Sequence, residues 1–183
     1  MKKCRCDWVS DDPLYQNYHD FKWGRPVYDD AQLYEMFLLE TFQAGLSWLT
    51  ILRKRSFFKE AFDHFDVNKI AKYDDLKMNE LMENPNIIRN KRKIQAAIKN
   101  AVIFIEIQKE YGSFSKYIWS YTDFQIIYLK DQKPVVRNEL SDRISSDLKK
   151  RGMSFVGSIT IYSYLEAIGI LNNHQKQCYL HKK

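Results

Sequence analysis

The sequence is poor in the features on which secreted and membrane proteins depend. It has three cysteines in 183 residues, and because three thiols cannot all pair, a disulfide framework is disfavoured. Its first residues do not form a basic stretch followed by an apolar one, so we expect no secretory signal. Apolar stretches such as 101–107 are far too short to span a bilayer. We therefore expect a cytoplasmic protein without a membrane partner.

Strand-like alternation of apolar and polar residues is also scarce, whereas helical spacing recurs along the chain. The clearest helical stripes are Leu33, Met36, Phe37 and Glu40; Leu49, Leu52, Phe57, Ala61 and Phe65; and Ile94, Ala97, Ile98, Ala101 and Ile105. Aromatic residues at such spacing usually belong to a core, and we predict this for Phe57, Phe58, Phe62, Phe65 and Trp119. The pattern predicts an all-α fold with a single domain, residues 1–183, in which two helical lobes surround a cleft.

Capping and breaking residues predict where helices begin and end. Asp29 or Asp30 is suited to begin the first long helix, and Asp74 to begin a shorter one. The segment 124–141 has no clear period and contains Pro134, so we predict that it is the longest irregular connection.

Cysteine and histidine occur near both ends of the chain. His174 and Cys178 are four residues apart and would project from the same side of a helix, while Cys6 and His19 lie near the N-terminus. Two thiolates and two imidazoles are a common ligand set for tetrahedral zinc. These residues predict one Cys2His2 zinc site that joins the termini. Chance is the alternative, since the spacing of the His174 and Cys178 pair is common.

Basic residues outnumber acidic ones, and the net charge of +6 suits a polyanionic partner. They concentrate in three segments, residues 53–55, 89–93 and 149–151. For any single cluster, a solvated helical face is the simpler explanation. After the last cluster, Gly152 and Gly157 flank a short turn that precedes an apolar helix at 159–170. This arrangement predicts a helix–hairpin–helix whose glycines and helix N-terminus bind a DNA phosphate.

Glu40 carries a charge on an otherwise apolar helical stripe and is soon followed by Trp48. A buried carboxylate needs hydrogen-bond donors or a cation, because an unpaired charge in an apolar setting is costly. An internal ion pair, or a position at the rim of the apolar face, would explain Glu40 equally well. Beside electron-rich rings such as Trp8, Trp23 and Trp48, it also fits a site for an extruded, positively charged base.

Several segments, taken together and in this order, resemble bacterial 3-methyladenine DNA glycosylase I. They are Cys6-Asp7-Trp8-Val9, Asp12-Pro13-Leu14-Tyr15, Tyr18-His19-Asp20, Trp23-Gly24, Leu39-Glu40, Gln43-Ala44-Gly45-Leu46-Ser47-Trp48, Ile88-Arg89-Asn90, Lys93-Ile94, Phe155-Val156-Gly157 and His174-Gln175-Lys176-Gln177-Cys178. The resemblance spans nearly the whole chain. It implies a helix–hairpin–helix DNA glycosylase fold, termini joined by one structural zinc, and excision of 3-methyladenine from alkylated DNA.

The resemblance also implies roles for individual residues. Glu40, Tyr18 and Trp48 match the residues that bind the base, and Trp8 and Trp23 line the same pocket. The wedge that fills the gap left by the extruded base corresponds to Gly45 and Leu46. The zinc ligands correspond to Cys6, His19, His174 and Cys178, with Cys4 and His181 as alternatives. Cys6 is preferred because the family places its cysteine two residues before the tryptophan, here Trp8, and His174 because His181 lies in a terminal tail.

The chemistry follows from the implied substrate. Methylation at N3 makes the purine cationic, so the base departs neutral and a strong general acid is dispensable. Glu40, on which we expect catalysis to depend, and Tyr18 would hydrogen-bond the adenine edge over Trp48 while water attacks the oxocarbenium-like sugar. The family lacks a catalytic aspartate, and Asn172-Asn173 likewise provides no acid after the second hairpin helix.

We find no lysine in the sequence placed as a Schiff-base nucleophile, so we expect a monofunctional enzyme without lyase activity. We expect a monomer that acts on double-stranded alkylated DNA and releases free 3-methyladenine. Two other classes of function remain alternatives. One is a non-enzymatic, zinc-stapled DNA-binding module, and the other is an interaction protein whose basic patches meet an acidic partner.

Overall fold

The computed structural model describes residues 3–129 and 135–181. Within these ranges the chain is mostly helical, as predicted. The helices are α1 Pro13–Phe21, α2 Asp30–Gln43, α3 Trp48–Ala61, α4 Val67–Ile70, α5 Asp75–Glu83, α6 Lys91–Tyr111, α7 Phe114–Ser120, α8 Glu139–Lys150 and α9 Ser158–Ala167, with a 3-10 helix at Asp63–Phe65. No described helix is both long enough and apolar enough to cross a membrane.

Side-chain oxygens begin most of these helices by accepting hydrogen bonds from N–H groups that have no partner within the helix. Asp74 is the N-cap of α5, as predicted. Of the two candidates for α2, Asp29 is the N-cap. Asp30 instead accepts from the backbone N–H groups of Phe114 and Ser115 at 2.8 Å. This carboxylate therefore ties the start of α2 to the start of α7.

The core lies between α2 and the helices packed around it. The predicted stripe on α2 is buried: Leu33, Met36, Phe37 and Glu40. The prediction for Phe57 was wrong, because this side chain is 40% exposed. Its neighbour Phe58 is fully buried, with its ring centroid 4.8 Å from that of Phe42. Successive residues of a helix point about 100° apart, so only one of the two phenylalanines can face α2. The core prediction is confirmed for the remaining aromatics, Phe58, Phe62, Phe65 and Trp119.

The segment predicted as irregular, 124–141, contains regular structure at both ends. Strand β1, Ile127–Tyr128, pairs in parallel with strand β2, Leu171–Asn172. The N–H of Ile127 donates to the carbonyl of Ile170 at 2.9 Å. Two-residue strands leave no alternating pattern in a sequence, so the pairing was not predicted. Helix α8 begins at Glu139, whereas Lys133 and Pro134 lie outside the described residues.

Helices α8 and α9 form the predicted hairpin, and the turn between them is tied to α6. Gly152 has a φ of +99°, a conformation that favours glycine. Asn100 of α6 donates to the carbonyl of Ser154 and accepts from its N–H, both at 2.9 Å. The apolar helix α9 ends at Ala167, three residues earlier than the predicted stretch 159–170.

The backbone after α9 passes very close to the segment that follows α1. A Cβ on Gly169 would lie 2.3 Å from the carbonyl carbon of Arg25, and Gly169 has a φ of +76°. The N–H of Val27 donates to the carbonyl of Ile168 at 3.0 Å. Only glycine permits this approach, which joins the N-terminal and C-terminal regions.

We expect Gly169→Ala to lower the free energy of unfolding by about 2–4 kcal/mol, because both the clash and the positive φ are disfavoured. Denaturant titration measures this change. Gly157→Ala is the matched control, since Gly157 has a φ of −60° and a Cβ there would meet no heavy atom within 4 Å. Equal stabilities of the two variants would contradict the close approach.

Candidate functional site

Four metal-ligating side chains from the two ends of the chain meet in the interior. Cys6, His19, His174 and Cys178 are buried, and their ligand atoms lie within 4.8 Å of one another. Sγ of Cys178 is 3.4 Å from Nε2 of His19 and 3.6 Å from Nδ1 of His174. A tetrahedral ion with bonds of about 2.0–2.3 Å needs ligand atoms about 3.3–3.8 Å apart. The group therefore has the chemistry of a single metal site, and the two distances from Cys178 have its spacing.

A partly buried ion pair holds one of these histidines. Arg5 donates to both carboxylate oxygens of Asp20 at 2.8 Å, and its guanidinium keeps the pKa of Asp20 well below the usual range. Oδ1 of Asp20 lies 2.9 Å from Nδ1 of His19. An ionised carboxylate accepts the Nδ1 proton of His19, which leaves Nε2 facing Cys178 as a ligand.

The protonation behaviour of the group also suits a cation. Burial raises the pKa of the Cys6 thiol to about 12, so its thiolate requires a neighbouring positive charge. Burial lowers the pKa of His174 to about 4, so its imidazole is neutral, the form that binds metals. Of the alternative ligands, Cys4 is exposed and Nδ1 of His181 faces the carbonyl of His174 at 2.7 Å. Neither belongs to the buried group.

A cavity of about 180 Å³ lies beside this group. Its lining comes from α1, α2, α3, α9 and the segments next to α1: Trp8, Tyr15, Tyr18, Trp23, Glu40, Gln43, Trp48, Ser163 and Glu166. All five residues predicted to bind or line the base are among them. Trp23 also lies against His174, with ring centroids 4.7 Å apart, and Trp8 against His19 at 5.4 Å. One wall of the cavity is thus packed directly on the metal-ligating group.

Glu40 supplies a buried acid to the cavity. It is 3% exposed, and its Oε2 has no hydrogen-bond partner among the described residues. Burial raises the pKa of Glu40 well above its ordinary value, and the nearby carboxylate of Glu166 raises it further. Within residues 3–129 and 135–181 it forms no ion pair, so the alternative of an internal ion pair is not supported.

Aromatic rings surround this acid. The ring of Tyr18 lies 5.3 Å from that of Trp48, and Trp8 packs edge-on against Trp23 with centroids 4.9 Å apart. Nε1 of Trp48 is buried and, like Oε2 of Glu40, has no partner in the described part of the chain. Burial raises the pKa of Tyr18 well above its usual range, so its hydroxyl keeps its proton. The cavity therefore combines flat apolar walls with a few polar atoms, as ligand pockets do.

The loop between α2 and α3 carries the predicted wedge. Gly45 has a φ of +83° and Leu46 is 39% exposed. Lys93, placed by the sequence in a basic cluster, is buried instead and donates to the carbonyls of Phe42 and Ala44 at 2.7 and 2.6 Å. It therefore satisfies the end of α2 and holds the loop rather than contacting phosphate.

The predicted basic cluster at 149–151 is also partly paired with acidic side chains of the protein. Arg151 pairs with Glu110 at 2.6 Å and with Asp147 at 2.9 Å. Lys149 and Lys150 instead line a surface depression beside the hairpin, together with Arg137, Gly157 and Ser158. The positive charge next to the hairpin therefore comes from Lys149, Lys150 and Arg137 rather than from Arg151.

Sequence reasoning missed four cavity residues, Tyr15, Gln43, Ser163 and Glu166. Tyr15 and Gln43 lie in segments that were noted but given no role. Glu166 is the lone acid of the apolar helix α9, the same feature that drew attention to Glu40 on α2. That feature would have identified it.

Comparison with known proteins agrees with this geometry. The family described as methyladenine glycosylase matches residues 8–181. DNA-3-methyladenine glycosylase of Haemophilus influenzae is 39% identical over 177 residues, which are 95% of this chain and 96% of that protein. A crystal structure of 3-methyladenine DNA glycosylase I is 41% identical with a TM-score of 0.94, covering 98% of this chain and 100% of that one. The structure of the Staphylococcus aureus enzyme, described as the structural basis of 3-methyladenine recognition, is 37% identical with a TM-score of 0.93. The match covers 98% of this chain and 97% of that one. The chain belongs to the 3-methyladenine DNA glycosylase I family.

Proposed function

We propose that this protein flips 3-methyladenine out of alkylated double-stranded DNA and hydrolyses its N-glycosidic bond. The observation that carries the proposal is the ring-lined cavity, in which Oε2 of buried Glu40 has no partner among the described residues. The S. aureus relative is described as recognising 3-methyladenine, and family membership supports the same substrate here. Free 3-methyladenine is the expected product.

The catalytic task is small because the substrate is already activated. Methylation at N3 places a positive charge on the base, and cleavage of the glycosidic bond neutralises it. The residues that line the cavity need only bind the extruded base while water attacks the sugar. Trp48 offers a stacking surface, and Glu40 and Tyr18 offer hydrogen-bonding groups to the adenine edge.

DNA binding is assigned to two surfaces. Leu46, exposed on the loop after α2, would fill the gap left by the base, with Gly45 allowing the loop to turn. The turn between α8 and α9 would bind a phosphate through backbone N–H groups near Gly152 and Gly157, beside Lys149.

The metal is proposed to be one structural zinc. Cys6, His19, His174 and Cys178 supply four ligands, which completes a tetrahedral shell and leaves no position for substrate. Because the tryptophan wall of the cavity packs on His19 and His174, the ion would act on the pocket through the position of that wall.

Release of free base from methylated duplex DNA is the direct test of the function. We expect chromatography to identify released 3-methyladenine and no strand cleavage by β-elimination. Binding of DNA with steep salt dependence but without base release would favour a non-enzymatic DNA-binding module. Failure to bind DNA at all would favour an interaction protein.

Removal of a proposed zinc ligand tests the metal site. We expect wild-type protein to contain one zinc per chain, and Cys178→Ala to lose zinc and about 3–5 kcal/mol of unfolding free energy. Elemental analysis and denaturant titration measure the two quantities. Cys4→Ala is the control, since Cys4 is exposed and outside the group. Full zinc content in Cys178→Ala would remove this assignment.

A side chain at Gly157 tests the hairpin. A Cβ there would meet no heavy atom within 4 Å, so we expect Gly157→Val to fold normally. The added side chain would keep phosphate from the backbone N–H groups and weaken binding to DNA of any sequence about tenfold. Binding of free 3-methyladenine should be unchanged; an equal loss of both would indicate misfolding.

Substitution of Glu40 tests base recognition. Glu40→Gln keeps the size of the side chain but replaces one oxygen by an amide donor, so we expect 3-methyladenine to bind more weakly by roughly 1–3 kcal/mol. Quenching of the fluorescence of the tryptophans that line the cavity reports binding. Unchanged affinity together with an unchanged melting temperature would place the base elsewhere.

A further inference from the structure

We propose that Glu166 is a specificity residue of the base pocket, where its carboxyl group acts with that of Glu40 to favour a positively charged base over a neutral one. The inference rests on the proposed function. Glu166 lies on α9 and takes no part in the contacts proposed for Glu40, Tyr18 and Trp48.

Glu166 and Glu40 line the same cavity from different helices. Glu40 belongs to α2 and Glu166 to α9, and these helices are held together by buried contacts. The ring of Tyr164 on α9 lies 5.5 Å from that of Phe37 on α2, and its hydroxyl donates to the carbonyl of Leu33 at 3.2 Å. The separation of the two acids is therefore set by packing in the core.

The carboxylate of Glu166 is also oriented by a neighbour. Its Oε1 accepts a hydrogen bond from Nδ2 of Asn173 at 2.7 Å. Asn173 follows strand β2, which pairs with β1, so the donor stands on a fixed backbone. A neutral amide orients the acid without neutralising its charge.

No cation balances these two acids within the described chain. Neither Glu40 nor Glu166 forms an ion pair among residues 3–129 and 135–181. Burial raises the pKa of Glu166 to about 7, and Glu166 in turn contributes to the raised pKa of Glu40. Two acids in one small cavity repel each other when both are ionised.

A cationic base would remove this repulsion, whereas a neutral base would not. Its positive charge attracts both carboxylates in a setting where water screens them weakly. Undamaged adenine is neutral and gains no charge–charge attraction from the pair. Glu166 thus adds selectivity for charge to the stacking surfaces that the aromatic lining provides.

The experiment compares two ligands that differ in charge. The first is 3,9-dimethyladeninium, a permanent cation in which the N9 methyl replaces the sugar; the second is 3-methyladenine at pH 8, where this free base is neutral. Affinities of both for the wild type and for Glu166→Gln are measured by tryptophan fluorescence. Glu106→Gln, an exposed substitution on α6, is the matched control.

We expect Glu166→Gln to bind the cation about tenfold more weakly while the affinity for neutral 3-methyladenine changes by less than about twofold. Equal weakening of both ligands would overturn the proposal and assign Glu166 a structural role through Asn173. Unchanged binding of both would overturn it as well.

An assay of base release by the wild type distinguishes failure of the role of Glu166 from failure of the proposed function. If the wild type releases 3-methyladenine from DNA but Glu166→Gln retains the wild-type ratio of affinities, only the role of Glu166 fails. If the wild type releases no base, the proposed function itself fails.

Discussion

The meeting of two thiols and two imidazoles from opposite ends of the chain is the constraint on which the pocket depends. Cys6 and His19 lie before and within α1, whereas His174 and Cys178 follow the last strand. Their convergence fixes both terminal regions at one point. Because the tryptophan rings of the cavity wall pack on the two histidines, the position of this group sets the position of that wall. The ionised Asp20 carboxylate, paired with Arg5, accepts the Nδ1 proton of His19 and leaves Nε2 facing Cys178.

The cavity, in contrast, contains buried polar groups that destabilise the fold. Oε2 of Glu40 and Nε1 of Trp48 are buried without partners in the described structure, and each such group costs about 1–3 kcal/mol. A protein core designed for stability alone would replace them with apolar side chains. Their presence around a ring-lined cavity is understandable when a polar, flat ligand supplies the missing hydrogen bonds. The stability lost in this cavity is offset by the dense aromatic core between α2, α3 and α6.

Prediction from sequence succeeded where local chemistry decides the outcome. The N-cap position of Asp74 depends on the adjacent backbone N–H groups, and it was predicted. Prediction failed where two neighbouring residues have equal propensity, as for Phe57 and Phe58, because only the direction of the packing partner chooses between them. It also failed for Lys93, whose burial is explained by distant carbonyls at the end of α2.

The sequence by itself determined the helical class, the candidate metal ligands and the unusual character of Glu40, because each depends on residue type or on helical periodicity. The spacing of His174 and Cys178 predicts a helix, whereas both lie in irregular backbone and turns after the last strand. Tertiary structure decided which polar groups share a cavity. Glu166 lies more than a hundred residues from Glu40 in the chain, and only the packing of α9 on α2 brings their carboxyl groups into one pocket. The same holds for the close approach of Gly169 to Arg25, since contacts between distant segments leave no periodic or compositional pattern in the sequence.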